Sequence, residues 1–268
     1  LEKIVVKYEV LEPLYDPEEA LAARDNPINP FASKGNLSKK VRLEFGDVDA
    51  AIEKSELVIE GDYFFEGTTH AAIEPHCALA HVETNGVLTV WSATQVSHYL
   101  HRELAKVLNM PANRIRVIQP PLGGAFGGKS EPFDLEFCVA KLAIMTGRPV
   151  KLLYTREEVF YSHRGRHPMK MKYRTGFAKD GKITAVTADY YYQAGAFPGS
   201  PVGRAVYFPF SSYQIDNANV RGFDVISNRQ KVNAYRAPGA PGGNYPLECL
   251  LDEAAEKIGM DPLKLRKV

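Results

Sequence analysis

The sequence is short of the features that mark disulfide-stapled, membrane-spanning or nucleic-acid-binding chains. Its three cysteines, Cys77, Cys138 and Cys249, stand far apart with no C-x-x-C spacing, so neither a disulfide framework nor a zinc site is indicated. No run of 18 apolar residues and no signal-peptide pattern occurs, which sets the expectation of a cytoplasmic protein. Charge of one sign is also lacking. The 33 basic and 32 acidic residues leave +1, no footprint for nucleic acid or an anionic membrane surface. Internal repeats, a Ser-His-Asp order, a paired-carboxylate acid–base set and a four-cysteine cluster are absent as well. What is present is 45% hydrophobic content over 268 residues, enough for a sizeable core and more than one layered unit. The sequence does not begin with Met and its first ten residues read as mid-strand, so a piece of a longer chain is expected.

Glycine is concentrated where other residues are not. Gly123, Gly124, Gly127 and Gly128 fall within six positions, which lets a backbone take φ > 0 and approach a ligand with no Cβ between. A strand-like run, residues 114–119, precedes them, and Ser130-Glu131-Pro132-Phe133 reads as a capped helix start. Strand, glycine loop and helix start aim free N–H groups and a positive dipole end at the loop's occupant. An anion or an electron-rich polar cofactor is the expected occupant. Gly123 to Ser130 also matches the phosphate-loop pattern G-x-x-x-x-G-K-[ST], the alternative being a nucleotide-binding domain. The Pro120-Pro121 pair and Pro132 count against it. So does the lack of an apolar run ending in Asp, since residues 183–189 are interrupted by Thr184 and Thr187. A purely structural glycine turn is the third reading.

Along the chain, residues 3–10 read as a strand, Asp16-Pro17 opens a short helix, and residues 26–40 read as a linker. A short helix at Asp47, a strand over 57–66 and a hairpin around Asn85-Gly86 follow. His70, Glu74 and His76 have the look of metal ligands, but Pro75 breaks the helix that would align them. A hydrogen-bonded, partly buried loop is the preferred reading. Gln95 falls between a strand and an amphipathic helix over 96–108 whose apolar face is Val96, Tyr99, Leu100, Leu104, Val107 and Leu108. Its amide either points into a cleft or caps the helix. Residues 133–145 are apolar nearly all round and are expected to be a buried helix ending at Gly147, with Cys138 a buried thiol. After a strand over 150–154, Thr155 and Glu158 form a capping box. The basic turn 163–168 reads as a solvated loop, or more sharply as an anion or subunit contact. A second hairpin spans 169–193, and strands are expected at 220–226 and 231–235. Arg204 is the single charge within 194–210, which calls for a buried carboxylate or a bound ligand as its partner. A second glycine loop, 235–244, opens a helix over 245–258, and Asp261 caps a last helix start. Hairpins mixed with helices give an α+β class.

Three motifs in this order, Trp91-Ser92-Ala93-Thr94-Gln95, Gly123 through Lys129, and Ala234-Tyr235-Arg236 through Gly243, resemble the molybdenum hydroxylase family. Xanthine dehydrogenase, aldehyde oxidoreductase and 4-hydroxybenzoyl-CoA reductase belong to it. The resemblance implies that residues 40–268 are the first half of a molybdopterin-binding subunit, and that 1–39 end a small α/β hammerhead domain plus linker. It implies a molybdenum–pterin cofactor, in a dinucleotide form, between this half and a second half. Gln95 would lie near the metal's oxygen ligands, Gly124, Phe126 and Gly127 would border it through backbone, and Arg236 would contribute its N–H. Arg204 would contact substrate, with Ser130 and Pro238 beside it. Purine oxidisers carry Glu at the position of Ser130 and an aromatic at that of Pro238, so purines are not the expected substrates. The segment 163–168 is similar to the 4-hydroxybenzoyl-CoA reductase branch. The implied reaction adds a water-derived oxygen to a carbon next to nitrogen or carbonyl, and electrons leave through 2Fe-2S and FAD partner subunits, with a dimer of heterotrimers as the implied assembly. The family's catalytic Glu lies in the second half, so this stretch alone is not expected to turn over. A non-catalytic scaffold half is the remaining reading.

Overall fold

The structure is a computed structural model that describes every residue except 1, 2, 31, 33, 34 and 163. The elements run α1 (Pro17–Ala22), β1 (Leu37–Phe45), α2 (Val48–Glu53), β2 (Leu57–Phe65), β3 (Cys77–Val82), β4 (Leu88–Ser92) and α3 (Ser97–Leu108). They continue with β5 (Ile115–Ile118), α4 (Asp134–Thr146), β6 (Val150–Leu153), α5 (Arg156–Ser162), β7 (Met169–Phe177) and β8 (Ile183–Gly195). The chain then forms α6 (Val202–Tyr207), β9 (Ala218–Ile226), α7 (Ala240–Ile258) and α8 (Pro262–Leu265). The expected α+β class is what forms.

Two sheets divide the work. The larger has the order β1-β9-β8-β7-β2 and the smaller β5-β4-β3-β6. Local signals build each. Asn85-Gly86 turns β3 into β4, whose register pairs Ala80 with Val90. The α3 crossover then brings β5 alongside β4 in parallel. Leu100 and Leu104 of α3 and Val139, Ala140 and Ala143 of α4 close over the smaller sheet with Ala78, Ala80, Leu88 and Val90. On the larger sheet, Leu247, Leu250, Leu251, Ala254 and Ala255 of α7 pack on Met169, Met171, Tyr173, Tyr190 and Tyr192. Each fully buried Leu, Val or Met among them is worth roughly 1.5–3 kcal/mol, so the two cores fix the framework from which the loops project. No helix among the described residues is long and apolar enough to cross a membrane.

Several expectations give way to tertiary context. Residues 3–10 join no ladder, and Ile4, Val5, Tyr8 and Val10 are exposed, because no strand of the described chain lies beside them. Residues 231–235 form no strand either; Val232 N–H donates to Ala194 O and Asn233 N–H to Gly165 O, two unrelated segments. Within the expected linker, Asn36 donates to Ala20 O at 2.9 Å and Asn26 O at 3.2 Å, and β1 starts one residue later. The expected buried helix at 133–145 is buried on one side. Cys138 is exposed and Met145 is 69% exposed, since the face opposite Val139 and Ala143 is left uncovered by the described residues. Val107 of α3 is likewise exposed.

Candidate functional site

The two glycine loops converge on one point. Arg236 N–H donates to Phe126 O at 3.0 Å. At the contact, φ is +54° at Phe126, +23° at Arg236 and +57° at Ala237, conformations that cost non-glycine residues of order 1–3 kcal/mol each. Gly127, at φ +96°, sits so close that a Cβ would lie 2.7 Å from Ala234 O. Backbone therefore meets backbone, and the surrounding side chains hold that contact.

Gln95 supplies one support. Its Oε1 accepts from Gly127 N–H at 3.1 Å and Lys129 N–H at 3.3 Å, while its own N–H donates to Lys129 O at 2.8 Å. Two donors on the amide oxygen fix its orientation, so the NH2 group faces away from the loop and has no partner among the described residues. The amide does not cap α3, which has no side-chain cap; it braces the loop. The loop also leaves the N–H groups of Gly124, Ala125 and Phe126, and Ala237 opposite, without a partner among the described residues.

Behind the contact, His70 Nε2 donates to Ala234 O at 2.8 Å, its ring 4.6 Å from that of Tyr235. His76 Nε2 donates to Gly128 O at 3.2 Å. Glu74 Oε2 takes Lys129 Nζ at 2.5 Å and Gly123 N–H at 3.1 Å. The 69–77 segment is thus the hydrogen-bonded, partly buried loop that Pro75 suggests. From the other side Arg166 Nη2 donates to Arg236 O at 2.7 Å, with its guanidinium 4.3 Å over the Tyr235 ring. Arg164 and the Asn233 amide both bind Glu131. Burial lowers the pKa of Arg164 and Arg166, and it pushes the His167 imidazole down to about 3, aided by the charges of Lys231 and Arg166. The basic turn is therefore not a solvated loop: Arg166 is buried against the second loop and His167 against Tyr192 of β8. His163, also in that turn, lies outside the described residues.

Beside the contact opens a hollow of ≈ 570 Å³, with Glu131, Pro198, Arg204, Lys231, Ala234 and Pro238 in its walls. Ala234 connects the two, because the same residue abuts Gly127. Arg204, on α6, is exposed and has no carboxylate partner among the described residues. Ser130 does not line the hollow; its Oγ donates to Gly127 O at 2.6 Å and closes the loop. A larger groove, ≈ 640 Å³, runs over the open face of the larger sheet and shares no lining residue with the hollow. There Glu60 meets Arg174, Asp189 meets Arg221 and Lys172 meets Glu18.

The phosphate-loop alternative is overturned. Lys129, 2% exposed, is held by Glu74, and α4 begins at Asp134, with Phe133 N–H capped by Glu136 Oε2 at 2.8 Å. Neither a free lysine nor a helix start faces the loop. The expected dipole contribution from α4 is likewise not offered to the loop, since α4 starts only at Asp134 and Glu136 occupies its N-terminal end. The N–H of Arg236 is also committed, to Phe126 O, so the donors left for a guest are those of 124–126, Ala237 and the Gln95 amide. Among the described residues no group of three His, Cys, Asp or Glu could hold a metal. A neutral, donor-rich cradle of this kind fits a group gripped by its oxygen-rich periphery.

The family model of the molybdopterin cofactor-binding domain matches residues 31–268. The chain belongs to the molybdenum hydroxylase family. It is 34% identical to the nicotinate dehydrogenase large molybdopterin subunit of Eubacterium barkeri, over 99% of this chain and 62% of that one. It is 33% identical to xanthine dehydrogenase/oxidase of Gallus gallus, over 99% of this chain and 19% of that one. The aldehyde oxidoreductase structure from Desulfovibrio gigas superimposes with a TM-score of 0.89 at 30% identity, covering 99% of this chain and 29% of that one. The chain thus spans less than two thirds of each of these molybdenum hydroxylases. Glu131, Lys231, Asn233 and Arg166 are site residues that sequence reasoning passed over. Of these, Arg166 alone carried a signal, as part of a dense basic turn.

Proposed function

We propose that this chain is the part of a molybdenum hydroxylase catalytic subunit that holds one side of a molybdenum–pterin cofactor, in dinucleotide form, and one wall of the substrate site. The direct bond between Arg236 and Phe126 carries the reading, because it joins the two motif loops into a single cradle. When bound, the cofactor supplies a metal centre that accepts two electrons from substrate as a water-derived oxygen is added. The chain's own residues bind and orient. Gln95 offers its NH2 group, the loop offers the N–H groups of Gly124, Ala125 and Phe126, and Gly127 keeps the two loops in contact. Pro238 leaves the hollow without the ring of purine oxidisers, its wall carboxylate Glu131 is held by Arg164 and Asn233, and Arg204 brings a cation with no carboxylate partner among the described residues. A planar N-heteroaromatic acid or an aromatic aldehyde suits that hollow, since a guanidinium stabilises a carboxylate or negative charge that builds during reaction. The names of the nicotinate and aldehyde relatives support this choice. Residues 164–168 are committed to internal contacts and lend no support to the acyl-thioester branch.

The proposal includes a second half of the subunit that brings the base, iron–sulfur and FAD partner subunits, a heteromeric assembly and a cytoplasmic location. Residues 1–39 belong, on this reading, to the end of the preceding domain. Purifying the complete subunit with its partners tests it. Molybdenum near one atom per subunit, with turnover of nicotinate or benzaldehyde, is expected. Background metal in an intact complex overturns it.

A further inference from the structure

The hollow has two walls from distant parts of the chain, and one side chain ties them together. Residues 196–201 link β8 to α6, and residues 227–239 link β9 to α7. Lys231, on the second wall, sets its ammonium against three consecutive carbonyls of the first: Phe197 O at 3.3 Å, Pro198 O at 2.9 Å and Gly199 O at 2.5 Å. Three N–H donors meet three acceptors, so none remains for a ligand. From beneath, Asp224, fully buried on β9, accepts the Gly199 N–H on Oδ2 at 3.2 Å. Ala196 N–H to Arg229 O at 3.0 Å and Val232 N–H to Ala194 O at 3.2 Å seal the base of the same seam. Burial lowers the pKa of Lys231 and the Asp224 charge opposes that shift, as for an ammonium drawn out of water. α6 starts straight after Pro201, so the place of Arg204 follows from where this loop is held.

We propose that Lys231 is a positioning residue for substrate binding, clamping residues 197–199 so that Arg204 stands at a fixed place relative to the Phe126–Arg236 contact. The inference rests on the hollow being the substrate site. A lysine that only stabilised the fold would leave substrate binding unchanged. This one is expected to act on KM.

The test uses the complete, molybdenum-loaded enzyme and whichever of nicotinate or benzaldehyde it turns over faster. Lys231→Met keeps the stem and removes the charge. It is expected to raise KM about tenfold with kcat nearly constant, the size of a lost charge-assisted hydrogen-bond set. Amide exchange should speed up in peptides covering 196–204 and stay as in wild type over 123–130. Lys231→Arg, which can still address these carbonyls, should restore most of the KM. If the Met variant does not accumulate, Lys231→Gln is read in the same way. Unchanged exchange over 196–204, or an unchanged KM beside faster exchange, overturns the proposal. A loaded wild-type enzyme that turns over neither probe sinks the substrate-site reading, and the exchange data still decide whether Lys231 clamps the loop.

Discussion

The two glycine-rich loops are alike as sequence and unlike as structure. In the first, Gly124 and Gly127 take φ of +101° and +96°, and the turn they make leaves backbone N–H groups open. In the second, the positive φ falls on Arg236, Ala237 and Gly239, whereas Gly242 and Gly243 lie inside α7. There they make room for neighbours: a Cβ would meet Met169 Cε at 2.3 Å and Ala205 O at 2.6 Å. One loop is a cradle of donors, the other a stiff abutment fixed to a helix. Glycine density alone does not separate a backbone that binds from a backbone that packs.

The sharpest way to break this comparison is a pair of alanines. Gly127→Ala drives a methyl into Ala234 O at a positive φ and should part the loops, leaving the folded complete enzyme with molybdenum near background by elemental analysis. Gly243→Ala should lower the melting temperature by several degrees, a cost of about 1–3 kcal/mol, yet leave the metal content of the folded fraction intact. Equal metal loss in both variants would erase the distinction.

The helices behind the loops start differently too. α4 is capped by the buried Glu136, which also accepts from Ser92 Oγ at 2.9 Å, whereas α7 has no side-chain cap. Burial raises the Glu136 pKa to about 7 from 4.5, against the pull of those hydrogen bonds. A carboxyl raised in the folded state favours folding while protonated. Its contribution is full below the unfolded value near 4.5 and is lost as pH rises through about 7, at most roughly 3 kcal/mol. Denaturant titrations of wild type and Glu136→Gln between pH 5 and 8 should therefore differ in slope, with the Gln variant flatter. Parallel curves would contradict the assignment.

The next effect is smaller and lies in the hollow. Arg204→Gln removes a cation with no carboxylate partner among the described residues, so stability should change by less than about 0.5 kcal/mol. Competitive inhibition by benzoate should weaken about tenfold, roughly 1.4 kcal/mol, while inhibition by the neutral benzamide holds. Equal changes for both inhibitors would remove Arg204 from substrate recognition.

Signals that close within a few residues were legible. The Asn85-Gly86 hairpin, the Asp16 and Asp47 caps, the Gly147 terminus and the Thr155–Glu158 box all form, because donor and acceptor lie within one turn. Gln95 was legible as a junction but not as a brace, since its acceptor reaches 32 and 34 residues along the chain. Residues 3–10 and 231–235 have strand composition, yet a strand exists only where a partner edge lies beside it. The exposed side of α4 and the buried Arg166 and His167 are likewise set by what packs there, which local pattern does not encode.

The central claim is that one cofactor touches both loops. Hydrogen exchange of the complete enzyme, prepared with and without molybdenum–pterin, tests it most directly. Slower exchange confined to peptides covering 122–130 and 234–240 is the predicted result. Protection elsewhere, with both of these peptides unchanged, would contradict it.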